Sequence, residues 1–158
     1  MSADARLILR EDELDLGLEL LLIAEAAVWT EVDAALDEVS SALGRSHWRA
    51  LFLIRRRPGL GVLDLASLTG LSKQSASKTL SELQAAGLVE MAKGDLDGRR
   101  RGAALTDTGA ALEERVTERL RSRMAGAYRA TGADAVQGAR RLLATLAGPR
   151  LAAGRREV

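Results

Sequence analysis

The sequence predicts a mainly α-helical chain with one small β-hairpin, in which two short helices and the hairpin lie between long N- and C-terminal helices. Three observations predict it. Residues 11–43 lack proline and carry apolar side chains at helical spacing. Two short amphipathic segments are separated by Gly70. Residues 88–93 alternate apolar with polar, meet turn residues at 94–98, and are followed by a returning segment at 99–105.

In the first helix Leu14, Leu18, Leu21, Val28, Val32, Ala35, Val39 and Ala42 follow a 4-3 spacing interrupted only by Glu25. A second stripe through Leu22, Trp29, Leu36 and Leu43 widens the apolar arc, which predicts more than one packing neighbour. Gly44 is expected to end this helix. Ser46 is expected to cap the next, HWRALFLIRRR, which Pro58 and Gly59 stop. Its closing Arg55, Arg56 and Arg57 suit either a solvated, dipole-matched helix end or a phosphate contact.

A short helix over 62–69 follows, with Gly61 at its start and Asp64 placed to reach back. Gly70 closes it, and Ser72 caps KQSASKTLSELQAAG, whose apolar line Ala76, Leu80, Leu83 ends at Gly87. Together these form a helix-turn-helix pattern, and the hairpin behind it is a wing, with Arg101, Ala103 and Leu105 on one side of the return strand. Thr106 then caps a helix carrying Leu112, Val116, Leu120 and Met124. After a break at 131–133 a last helix runs through Val136, Leu142, Leu143 and Leu146 to Gly148 and Pro149, and the tail from Arg150 is expected to be loose.

At 158 residues, 47% hydrophobic and 28% charged, the chain fits one globular domain. No apolar run approaches the roughly 20 residues of a membrane helix, so no membrane partner is expected. Residues 1–10 lack a secretory pattern and cysteine is absent, so the expectation is a cytoplasmic protein without thiol chemistry. His47 is the single histidine, which leaves no constellation for an enzyme, a metal site or a cofactor. The charge is divided unevenly: residues 1–43 hold two arginines against eleven acids, net −9, whereas 44–158 carry net +10. One part of the molecule is suited to meet a polyanion.

The first turns of the second short helix present Lys73, Gln74, Ser75, Ser77 and Lys78, with no carboxylate before Glu82. Such a helix fits the major groove, where an amide, hydroxyls and ammonium groups meet base edges and phosphates. The bland alternative is an ordinary exposed amphipathic helix. Arg99, Arg100 and Arg101 follow Asp97 at the hairpin tip, an arrangement suited to the minor groove, with Asp97 shaping the wing. Their bland alternative is a solvated strand edge.

Residues 47–112 resemble the MarR family, above all in LDLASLTGLSKQSASKTLSELQAAGLVE and DGRRRGAALTDTGAAL. The family implies a single domain over 1–158, with a winged helix-turn-helix DNA-binding part at 46–105 and dimerisation helices at 1–44 and 106–148. It maps a wing aspartate onto Asp97 and a minor-groove arginine onto Arg99. Gly98 stands where a basic residue is common, and Arg100 and Arg101 are placed to replace that charge. Helix contacts carry over to Ser72, Lys73, Gln74, Ser77 and Lys78. A homodimer is implied, joined through Leu7, Ile8, Leu9, Leu14, Leu18, Leu142, Leu143 and Leu146, acting on double-stranded DNA at a pseudo-palindromic operator, most often as a repressor. Release by a small aromatic or anionic effector is also implied, with Trp29, His47, Trp48, Arg49 and Phe52 as the candidate pocket. Those rings serve equally as core, with His47 as a helix-start residue. The competing function is a winged-helix protein-interaction module that binds an acidic partner protein.

Overall fold

A computed structural model describes residues 10–92 and 102–154. They form α1 (Glu11–Val39), α2 (Arg45–Arg56), α3 (Val62–Thr69), α4 (Lys73–Ala85), β1 (Val89–Ala92), β2 (Gly102–Leu105), α5 (Asp107–Thr131) and α6 (Ala133–Ala147), then a 3-10 turn (Gly148–Ala152). Three helix starts are built as their sequences predict. Gly61 N–H donates to the Asp64 carboxylate at 3.2 Å, Ser75 N–H to Ser72 Oγ at 3.1 Å, and Gly109 N–H to Thr106 Oγ1 at 3.0 Å. Each bond satisfies a donor that a first turn leaves without a helical partner. Gly70 closes α3 in the left-handed conformation, φ 74°.

The first helix ends earlier than its apolar pattern suggests. Ser40 is extended, and its Oγ accepts from Ala42 N–H at 3.3 Å, a local bond that competes with continuation of the helix. Gly44 is therefore not the end of α1. It is the N-cap of α2, its N–H donating to His47 Nδ1 at 2.9 Å, and Ser46 falls inside the first turn instead of capping it.

The hairpin pairs Val89 with Leu105, Glu90 with Ala104, Met91 with Ala103 and Ala92 with Gly102. A third segment joins it, because Gly59 N–H donates to the Ala103 carbonyl at 3.0 Å and Ala103 N–H to that of Leu60 at 2.8 Å. Nothing in the sequence marks that bridge except the glycines. A Cβ on Gly102 would lie 2.5 Å from Gly59 Cα, so only glycine allows the approach.

Two cores result. Ala50, Leu51 and Ile54 of α2 pack with Leu60, Leu65, Ala76, Leu80, Leu83, Leu88, Val89 and Ala103 to make a head of α2, α3, α4 and the hairpin. Val32, Ala35 and Leu36 of α1 pack with Trp48 of α2 and with Val116 and Leu120 of α5 in the second. Helix α2 contributes to both, so it joins the head to the long helices. Away from these cores the far ends of the long helices are bare. Residues 10–26 are exposed throughout, α6 buries no residue, and the α5 stripe surfaces at Met124.

Two expectations change at the ends of helices. The three arginines that close α2 engage other parts of the molecule, although Arg55 and Arg56 stay exposed. Arg55 pairs with Glu113 at 2.5 Å and Glu114 at 2.6 Å, Arg56 lies over the Phe52 ring at 4.4 Å, and Arg57 Nη1 donates to the Leu151 carbonyl at 2.9 Å and that of Ala153 at 2.5 Å. The last contacts also correct the tail, which folds into its 3-10 turn and lands on the head because Arg57 captures carbonyls that a helix end leaves unpaired. No described helix is long and apolar enough to cross a membrane.

Candidate nucleic-acid interface

Helix α4 is held by Ala76, Thr79, Leu80 and Leu83, all buried against the head. Spacing of three and four residues then turns Lys73, Gln74, Ser77 and Lys78 together to the opposite, exposed face. Ser72 and Ser75 stand at the start of that face with their hydroxyls engaged in the cap. Ser72 Oγ accepts Ser75 N–H and donates to Ser75 Oγ at 2.9 Å. Lys78 Nζ is 3.9 Å from Glu82, whose other oxygen meets His47 Nε2 at 2.9 Å. The face is thus cationic and amide-bearing at its start and tied to α2 at its far end.

Strands β1 and β2 lead away from the same head, pairing out to Ala92 and Gly102. The wing residues Asp97, Arg99, Arg100 and Arg101 lie outside the described residues. So do Leu7, Ile8 and Leu9. Leu14 and Leu18 on α1 and Leu142, Leu143 and Leu146 on α6 are 47–63% exposed. Burying an exposed leucine stabilises by about 1.5–3 kcal/mol.

The predicted effector residues divide. Trp29 stands edge-on to Trp48 with centroids 6.0 Å apart, and Trp48 tilts against Phe52 at 5.3 Å. These rings fill the joint between α1, α2 and α5 as core. His47 turns away from them, accepting from Gly44 N–H and meeting Glu82. Nδ1 accepts from the backbone at the start of α2, and Nε2 is the nitrogen that faces Glu82. Arg49 stays with the rings, 5.3 Å above Trp29, where Arg45 also lies at 5.6 Å.

Arg49 is the unusual group of the joint. Its Nη1 reaches the Thr69 carbonyl at 3.4 Å, while its Nε is buried with no hydrogen-bond partner among the described residues. Burial lowers its pKa from the ordinary value, with Glu25 acting in the opposite sense. By contrast Arg45 is bidentate, gripping Asp33 through Nε and Nη2 at 2.9 and 2.5 Å, and this bond holds the Asp33 carboxyl below its ordinary pKa.

Beneath the rings runs a buried polar chain that sequence reasoning missed. Trp48 Nε1 donates to Thr117 Oγ1 at 3.2 Å, Thr117 donates to Glu113 at 2.5 Å, and Glu113 accepts from Arg55. Glu113 and Thr117 are 1% and 2% exposed. Their spacing of four on an otherwise apolar face was the available signal.

A model of the MarR family matches residues 43–100. The HTH-type transcriptional regulator PetP of Rhodobacter capsulatus is 40% identical over 143 residues, covering 90% of this chain and 85% of PetP. The chain belongs to the MarR family. Among solved structures, this MarR-family protein is similar to NadR in complex with 4-hydroxyphenylacetate, with a TM-score of 0.73 and 28% identity over 82% of this chain and 90% of NadR. It is also similar to CouR of Rhodococcus jostii RHA1 bound to p-coumaroyl-CoA, with a TM-score of 0.71 and 26% identity over 85% of this chain and 93% of CouR. The MarR-family chain is a helix-turn-helix transcriptional regulator and not an enzyme.

Proposed function

We propose that the protein is a homodimer that binds a pseudo-palindromic site on double-stranded DNA and represses by occupying it. The observation that carries this reading is the exposed face of α4, where Lys73, Gln74, Ser77 and Lys78 stand together with no carboxylate before Glu82. In this reading residues 46–105 read DNA, with Asp97 and Arg99–Arg101 at the wing, and residues 1–44 and 106–148 pair the two copies. The exposed leucines of α1 and α6 support that pairing. Binding is tested on the promoter beside the protein's own gene across a salt series. Wild type is expected to bind selectively with steep salt dependence, Arg99→Ala to weaken binding to all sequences, and Gln74→Ala to lose about 1–3 kcal/mol of discrimination at one base step. A folded dimer that binds neither this DNA nor a genomic pool at low salt would refute the reading.

For the effector, the buried Nε of Arg49, without a partner among the described residues and above Trp29, supports a small aromatic anion at the α1–α2 joint. NadR and CouR, each solved with an aromatic acid or its thioester, support the same class. Release requires that such a ligand prefer a dimer whose reading heads are misplaced. Titrating 4-hydroxyphenylacetate into the DNA complex is expected to release wild type at a concentration that leaves Arg49→Met bound. Equal release of both would remove Arg49 from the site.

A further inference from the structure

The arm made by α5 and α6 meets the reading head at two places. One is the N-terminal half of α5, where Arg55 grips Glu113 and Glu114, Trp48 packs on Val116 and Leu120, and Gly109 abuts Leu88. The other is the strap of residues 148–154 that follows α6. Arg57 Nη1 donates to the carbonyls of both Leu151 and Ala153. Gly154 then presses on Leu60 so closely that a Cβ would overlap the leucine side chain, and its φ of 70° independently calls for glycine. Arg150 Nη1 stands 3.1 Å from where a Cβ on Gly70 would be.

These landing points are not arbitrary parts of the head. Gly70 lies in the turn just before the α4 cap, and Leu60 is the residue whose carbonyl anchors Ala103 at the root of the hairpin. Between them the strap stands off the head over a cavity of about 570 Å³ lined by Leu53 and Leu68 on one side and Leu146, Ala147 and Leu151 on the other. Packing across the gap is therefore incomplete, and the Arg57 bonds together with the Gly154–Leu60 contact hold the strap to the head. Leu146 at this end of α6 is also one of the exposed leucines.

We propose that Arg57 is a positioning residue: by tethering the strap it fixes the arm against the reading head, and so sets the half-site spacing that the dimer accepts. This rests on the dimeric DNA-binding reading above. Without the strap the head is held to the arm only along the N-terminal half of α5, and the far end of the arm is not fixed against it. With the strap attached, arm and head form a closed frame. A change of one base pair moves a half-site by about 3.4 Å and turns it by about a tenth of a helical turn, which a framed head cannot follow.

The test uses the full chain with Arg57→Met, which keeps the aliphatic stem and removes both donors, and with Gly154→Val, which dislodges the strap without touching α2. A site selected from random duplexes is rebuilt with one or two base pairs added or removed between half-sites. Wild type is expected to lose affinity about tenfold or more on a one-base-pair change, and both variants only about threefold or less, with half-site base preference unaltered. Identical spacing profiles would overturn the proposal. Because the chain has no cysteine, a spin label at Gln84→Cys on α4 also reports the distance between the two heads without DNA. A narrow wild-type distribution that broadens in either variant supports the tether. Equal widths overturn it even if no DNA is bound, and the absence of any inter-label distance overturns it together with the dimer.

Discussion

Individual residues are most constrained where polar groups are buried. Thr117 both receives the Trp48 indole N–H and donates to Glu113, so Thr117→Val keeps the volume while leaving two buried partners unmatched. A loss of about 1–3 kcal/mol is expected in urea unfolding, with little change in the m-value. An unchanged midpoint would show that water or rearrangement replaces the bonds. At the surface, the bonds from Arg45 to Asp33 and from Arg121 to Glu114 hold both carboxyls below their ordinary 3.8 and 4.5. Groups lowered in the folded state stabilise it above those values and cease to do so as pH falls through the lowered ones. The thermal midpoint is therefore expected to fall below about pH 4.5, and less steeply in Asp33→Asn. Residues of this kind were half legible in the sequence. Ser72, Asp64 and Thr106 announce their bonds because the partner is three residues away. Asp33 with Arg45, His47 with Glu82 and Arg57 with the strap join distant stretches, and no local pattern identifies them.

At the scale of elements, α3, α4 and α5 were legible because each is bounded by a chemical signal at both ends: a glycine or hydroxyl start and a glycine stop. Helix α1 misled because its apolar spacing runs on to Leu43 while Ser40 halts the backbone. The hairpin was legible as two strands, but its third segment at Leu60 was not. Gly109 shows how tightly these elements meet. It lies in the first turn of α5, and a Cβ there would overlap the Leu88 carbonyl at the entry to β1. Gly109→Ala must therefore push α5 away from the hairpin. The expected cost is about 3 kcal/mol, with accelerated exchange of the β1 and β2 amides, and a normal exchange pattern would show that the helix can shift without disturbing the strands.

Across the whole molecule, apolar surface is distributed in a way that one copy does not satisfy. Leu14, Leu16, Leu18, Leu20, Leu21, Leu22 and Ile23 on α1 and Leu142, Leu143 and Leu146 on α6 are exposed together. The leucine spacing was legible on the exposed first half of α1 and on α6, whereas the geometry of any partner lies beyond a single chain. Leu18→Glu with Leu142→Glu is expected to yield a monomer in sedimentation, with the reading head still folded, because neither residue belongs to either core. Persistence of a dimer would move the pairing surface elsewhere. The joint between arm and head has a further property at this scale. Both tryptophans of the chain sit there, perpendicular to one another, one beneath two guanidinium groups and the other bonded to Thr117. All indole emission therefore originates at the hinge, and any event that moves α1 against α2 changes its colour or yield, so the molecule carries its own optical gauge of the joint.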